Sequence, residues 1–271
     1  MENKAALFQA KLLQYRQTGT HGTRIRMHRA LRHISLSPTT IFSIIVLPVF
    51  FDALLWTHLD TITQLWGQWF GFWIGHLQPD AHVAYASTAF LGRQLDVPYP
   101  DLMAALPSKA AVQINLIAAL LILLPTGLIS KKYLPVTYLL RAAILIQISS
   151  SVYFMLRPDH LPYAMGSYVS GMLSLGLYLM LLTSPLLALI YYIFDFPVWR
   201  KFMVTATMIG YFLLVLPMQY MLHALIMSKG SMLFMPLLYL LFGALLNILM
   251  FVSCYALAMT WRAREKNSLT P

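Results

Sequence analysis

Six long apolar stretches govern what this chain can fold into: roughly residues 40–58, 110–129, 134–156, 167–194, 202–227 and 232–260. About 20 apolar residues cross a bilayer as a helix, because hydrocarbon offers the backbone no partner and the helix closes its own hydrogen bonds. Charge supports the same reading. Only 10% of residues are charged, well below the share in a soluble domain, and both glutamates, Glu2 and Glu265, lie near the chain ends. The expectation is an all-α integral membrane protein of about six transmembrane helices, with the lipid bilayer as its first partner.

Basic residues orient the spans. Lys4, Lys11, Arg16, Arg24, Arg26, Arg29 and Arg32 precede the first span, and cytoplasmic flanks are rich in Lys and Arg. With that end inside, Lys131, Lys132, Arg200, Lys201, Arg262, Arg264 and Lys266 also fall on the cytoplasmic side, against Arg93, Lys109, Arg157 and Lys229 outside. The bias recurs at each loop, so both termini are expected in the cytoplasm. This distribution accounts for the net charge of +10 without nucleic acid. The expected organisation is a basic cytoplasmic segment over 1–39, a single polytopic membrane domain over 40–260 with an outer loop at 59–109, and a cytoplasmic tail over 261–271. The leader before the first span is too long and polar for a signal peptide, so that span is expected to be retained as an anchor. In a bacterium, the charge rule implies the inner membrane.

The segment LWGQWFGFWIGHL, residues 65–77, holds three of the six tryptophans and three glycines. A seventh span here would turn Lys131 and Lys132 outward, against the charge rule. Ile62, Leu65, Trp66, Trp69, Phe70, Trp73 and Leu77 recur at three- and four-residue steps and make one apolar face of a helix about 24 Å long. Gly67, Gly71 and Gly75 line another. Tryptophan favours the headgroup region, and glycines four apart admit a close neighbour. The expectation is an interfacial or re-entrant helix over 61–77, its glycine stripe packed on the bundle or another subunit. A flexible loop is the competing reading, since glycine is a poor helix former. Residues 78–109, with DVPYPDLMAALPSK, read as extended chain and turns. The basic residues of 2–35 alternate loosely with leucine and isoleucine, consistent with an anionic leaflet or with a solvated tail.

Charged side chains at membrane depth are candidates for function. Asp52 and Arg141 stand within spans one and three, at heights from which an upward arginine reaches the carboxylate. They form a candidate ion pair or coupling site. In the alternative, each snorkels to its nearer interface. A second group shares the outer end of the bundle: His58, Asp60, Gln113, Asn115, Arg157, Asp159, His160, Gln219 and His223. Gln219 and His223 are four apart on one helix face, so the amide is placed to orient the imidazole. His223, His160 and Arg157 are the catalytic candidates, the histidines as bases and Arg157 as an anion clamp. No H-E-x-x-H, paired E-x-x-H or four-histidine pattern occurs, and the single Cys254 excludes a cysteine cluster, so neither metal nor cofactor is expected. No phosphate loop or nucleophile elbow is present.

Gly166, Ser170 and Ser174 step by four as a small-residue packing face, and Asn247 marks an inward stripe of the last span. Pro48, Pro185 and Pro217 each remove a backbone donor within a span, exposing carbonyls of the kind that transporters present to solutes. The leading functional expectation is a non-catalytic component of an envelope transport, secretion or assembly complex, with other membrane subunits as partners and no nucleic acid. The alternatives are a membrane enzyme acting on a lipid-linked or periplasmic substrate, and a small-solute transporter centred on Asp52 and Arg141.

Overall fold

The structure, a computed structural model, describes residues 38–158, 161, 163–193 and 197–267. The basic segment before Pro38, together with Asp159 and His160, lies outside the described residues. Helices fill most of the described chain: α1 Pro38–Thr57, α2 Leu59–Leu77, α3 Lys109–Leu123, α4 Leu134–Leu156, α5 Met165–Ile193, α6 Val198–Lys229 and α7 Leu246–Asn267. Five helical spans are long and apolar enough to cross a membrane, and α1 with α2, bent by 59° at a short break, counts as a sixth if the two are one broken span. The architecture is that of a helical membrane protein.

Local chemistry sets the ends. The Ser108 hydroxyl accepts from the Ala111 N–H at 3.2 Å and caps α3. Pro125 has no N–H to continue α3, which tightens into the 3-10 turn Leu124–Leu128. α6 begins directly after Pro197. The last span enters through the turn Met232–Phe234 and runs as a π-helix over Leu238–Leu245 before α7.

One element departs from the expected extended chain at 78–109. β1 His82–Phe90 and β2 Arg93–Asp101 pair antiparallel from His82 with Asp101 to Phe90 with Arg93. The two-residue turn has positive φ at both positions, 49° at Leu91 and 86° at Gly92, as a tight hairpin demands. In a ladder closed this way Phe90–Arg93 is a bonded pair and the bonded pairs alternate. Pro98, opposite Tyr85, and Pro100, opposite Val83, therefore stand in the non-bonded pairs, with their nitrogens on the free edge. The prolines that suggest turns in the sequence are compatible with this strand because of their register.

The hairpin explains the glycines. One of its faces, carrying Val83, Tyr85, Pro98 and Pro100, lies against α2. Four helical residues rise about 6 Å and two strand residues about 7 Å, so glycines four apart keep step with alternate strand residues. A β-carbon on Gly67 would lie 2.6 Å from the Tyr85 hydroxyl and 3.6 Å from Pro98, and one on Gly71 would lie 3.9 Å from Val83. Gly75 has open space. The stripe thus receives a hairpin of the same chain, where the bundle or another subunit was expected, and only Gly67 is a tight contact. The other hairpin face lies along α5. A β-carbon on Gly166 would meet the Tyr99 ring at 2.5 Å, and Phe90 stacks on Tyr178 with ring centroids 4.3 Å apart.

The core follows from these contacts. Ile62, Trp66, Phe70 and Ile74 of α2, Phe90, Leu95 and Val97 of the hairpin, and Val169, Leu173 and Leu177 of α5 share one buried cluster with Phe212, Leu216 and Tyr220 of α6. α1 packs chiefly on α5, and α3 chiefly on α4. The expected tryptophan face is accordingly divided: Trp66 is buried in the bundle, Trp69 and Trp73 are half-buried, and Leu65 and Leu77 are exposed.

Candidate functional site

The polar side chains inside the bundle act mainly on irregular backbone. Pro217 has no N–H for the carbonyl of Leu213, one turn earlier in α6. The indole N–H of Trp66, only 1% exposed, donates to that oxygen at 2.8 Å. The carbonyl that a proline frees in the middle of α6 is therefore satisfied by another element of the same chain, not left for a solute. The last span repeats the device. At the end of the π-helix the Leu246 N–H bonds back to Gly243, and the amide of Gln219 donates to the neighbouring Phe242 carbonyl. A third carbonyl, that of Leu233 in the entry turn, receives the Ser150 hydroxyl at 2.8 Å and the Gln147 amide at 3.5 Å, both from α4. Lipid offers no donors, so each carbonyl released by a helix irregularity needs one from protein.

His223 lies on α6, and its partner is not the expected amide. Nδ1 is 3.0 Å from the Tyr168 hydroxyl of α5, and Gln219 is spent on Phe242. Four residues apart on a helix gives the two side chains one face, but Gln219 lies opposite the π segment and His223 opposite α5. Tyr168, Tyr220 and His223 pack with ring centroids 5.2 to 6.4 Å apart. Asn247 is buried, and its amide approaches the Tyr220 hydroxyl. The side-chain oxygens of Gln219 and Asn247 accept no hydrogen bond.

Asp52 and Arg141 are not brought together. Arg141 donates from Nε to the Thr126 hydroxyl at 3.0 Å and from its terminal nitrogen to the Thr126 carbonyl at 3.2 Å, which fastens α4 to the end of α3. Asp52 Oδ1 is buried without a hydrogen bond. The reason is lateral: α1 packs on α5 and α4 packs on α3, so equal height does not make the two residues neighbours. Asp52→Asn and Arg141→Gln are therefore expected to change stability additively, within about 0.5 kcal/mol, in a double-mutant cycle. A coupling of 2 kcal/mol, read from denaturant unfolding in detergent, would restore the pair.

The remaining candidates are distributed. His58 closes the end of α1, its Nδ1 2.9 Å from the Leu54 carbonyl. Asp60 forms an ion pair with Arg93 of β2. Asn115 donates to Ser151 at 2.7 Å between α3 and α4. Arg157 is exposed at the end of α4. Ser170 and Ser174 return their hydroxyls to carbonyls of their own helix, those of Ser167 and Ser170. α5 comes close to α6 at Gly176, where a β-carbon would lie 2.4 Å from Leu216. Among the described residues no three metal-ligating side chains cluster.

Sequence reasoning misses Lys201. Counted above as a loop charge, it belongs to α6 and is 2% exposed. Its ammonium donates to Ser43 of α1 at 2.8 Å and lies 5.8 Å from the Tyr191 ring centroid. The Tyr191 hydroxyl donates to the Lys201 carbonyl at 2.8 Å and meets Thr205 at 3.0 Å. The pattern Lys201, Thr205 at a four-residue step was the only available signal, and it is weak. Compared with models of protein families, with curated proteins and with solved structures, the chain matches none.

Proposed function

We propose that this chain is a non-catalytic, membrane-embedded component of an envelope transport, secretion or assembly complex, with both termini in the cytoplasm and the α2–hairpin unit towards the outer side. One observation carries the reading: four hydrogen-bonding side chains within the bundle are committed to neighbouring elements of the same chain, His223 to Tyr168, Gln219 to Phe242, Arg141 to Thr126 and Trp66 to Leu213. The chemistry of such a protein is contact. An open apolar surface lies on α3, where Ile114, Ile117 and Leu121 are 67%, 58% and 62% exposed along one helix face and α4 is the main packing partner. In lipid, lateral association runs through packing of such faces.

Purification from native membranes in a mild detergent is expected to retain at least one other membrane protein in fixed ratio. Ile117→Trp with Leu121→Trp is expected to release it, while α5 and α6 stay folded. A lone monomer from native membranes, together with full complementation by that double variant, would remove the proposal. The contact test belongs on α3 and not on Gly71, because Gly71 has only ordinary contact with Val83.

A further inference from the structure

We infer that the hairpin tip stands inside the membrane and lines a water-filled recess that opens on the side where α2 ends. The Asp60–Arg93 ion pair stands at its floor. This inference does not rest on the function proposed above.

Depth follows from two independent contacts. A hydrocarbon core takes about 20 helical residues. Within the span Met165–Tyr191, every 20-residue window includes Tyr178, the residue on which Phe90 stacks. Within Val198–Lys229, every such window includes Leu213, the residue that Trp66 binds. Wherever the bilayer sits along these helices, both contacts are inside it, and Tyr178 lies at least ~9 Å from the boundary at the Met165 end. The hairpin runs down α5 from Gly166, against Tyr99, to Tyr178, against Phe90, so its base is at the end of the bundle and its turn at half depth.

The polarity of that tip is incompatible with lipid. Arg93 pairs with Phe90 across the ladder, and its guanidinium holds Asp60 at the start of α2; the two side chains are 40% and 54% exposed. Gln94, opposite Ala89, is exposed on the non-bonded side of the ladder, where backbone N–H and C=O groups face the free edges. Charged side chains and open strand edges do not face hydrocarbon. At membrane depth, irregular or extended backbone occurs where protein buries it or where it lines water. These groups are exposed, which leaves water.

Thiol accessibility tests this directly, since Cys254 is the chain's single cysteine. In a Cys254→Ser background, Gln94→Cys and Ala89→Cys probe the tip and His82→Cys the base. Leu182→Cys and Leu214→Cys, at positions 49% and 52% exposed within the two invariant windows, probe lipid at matching depth. With a charged, membrane-impermeant methanethiosulfonate applied to sealed vesicles, the tip cysteines are expected to react within about tenfold of the base. The two reference cysteines should react at least a hundredfold more slowly, and all five should label after solubilisation. Tip cysteines as slow as the references would overturn the recess in favour of lipid or a covering subunit. References as fast as the tip would overturn the depth, placing these halves of α5 and α6 outside the bilayer.

Discussion

Replacing Trp66 by phenylalanine is expected to lower stability by about 1–3 kcal/mol, and Pro217→Ala in the same chain to recover most of that loss. The indole is buried in the α2–α6 contact, and its N–H satisfies the carbonyl that Pro217 leaves open. Phenylalanine keeps most of the packing but strands that oxygen in a region without water. Alanine at 217 restores the helical N–H four residues after Leu213, so the oxygen is satisfied from within α6. A carbonyl has two acceptor positions, and Pro217→Ala alone is therefore expected to be neutral or mildly stabilising. The double-mutant cycle separates this hydrogen bond from the volume lost with the indole, which is the same in both backgrounds. Equal costs of Trp66→Phe with proline and with alanine at 217, measured by unfolding in detergent, would refute the account. Trp66→Ala, which also opens a cavity, is expected to cost about 3–5 kcal/mol with proline at 217 and correspondingly less with alanine there.

Two glycines are expected to respond with opposite signs. Gly176→Ile drives side-chain atoms into Leu216, which has no exposed surface, and should cost about 1–3 kcal/mol by forcing α5 and α6 apart. Gly210→Ala has nothing within 4 Å of the new carbon and gains helix propensity, about 1 kcal/mol. Both residues are interior to long helices, so sequence alone assigns them the same role. The difference is read as melting temperature in one detergent. A stable Gly176→Ile protein would show that α5 and α6 are not held at the distance described.

The helical spans are legible in the sequence because the bilayer imposes length and apolarity on every crossing. Residues 134–156 coincide with α4, and 110–129 is displaced by one residue from the span Lys109–Leu128. The helix over 61–77 is also legible, from the three- and four-residue recurrence of its apolar positions, although its neighbours are not. The hairpin escapes because Pro98 and Pro100 carry the composition of a turn, and their place in the non-bonded pairs depends on a register set at Leu91–Gly92. Among candidate site residues, His223 and Gln219 are buried on α6, and their partners, Tyr168 and Phe242, lie 55 and 23 positions away. Arg141 likewise turns to Thr126, and Asp52 stays apart.

By itself, then, the sequence determined that the chain carries segments long and apolar enough to cross a membrane and which of them form helices, since hydropathy and backbone hydrogen bonding are local properties. Tertiary structure decided which spans are neighbours, that α2 carries a strand on its glycines, and that Trp66 closes the gap left by Pro217. Lipid-facing and protein-facing sides of a span are similarly apolar, so lateral partners leave little periodic mark, and only the fitted arrangement of helices selects them.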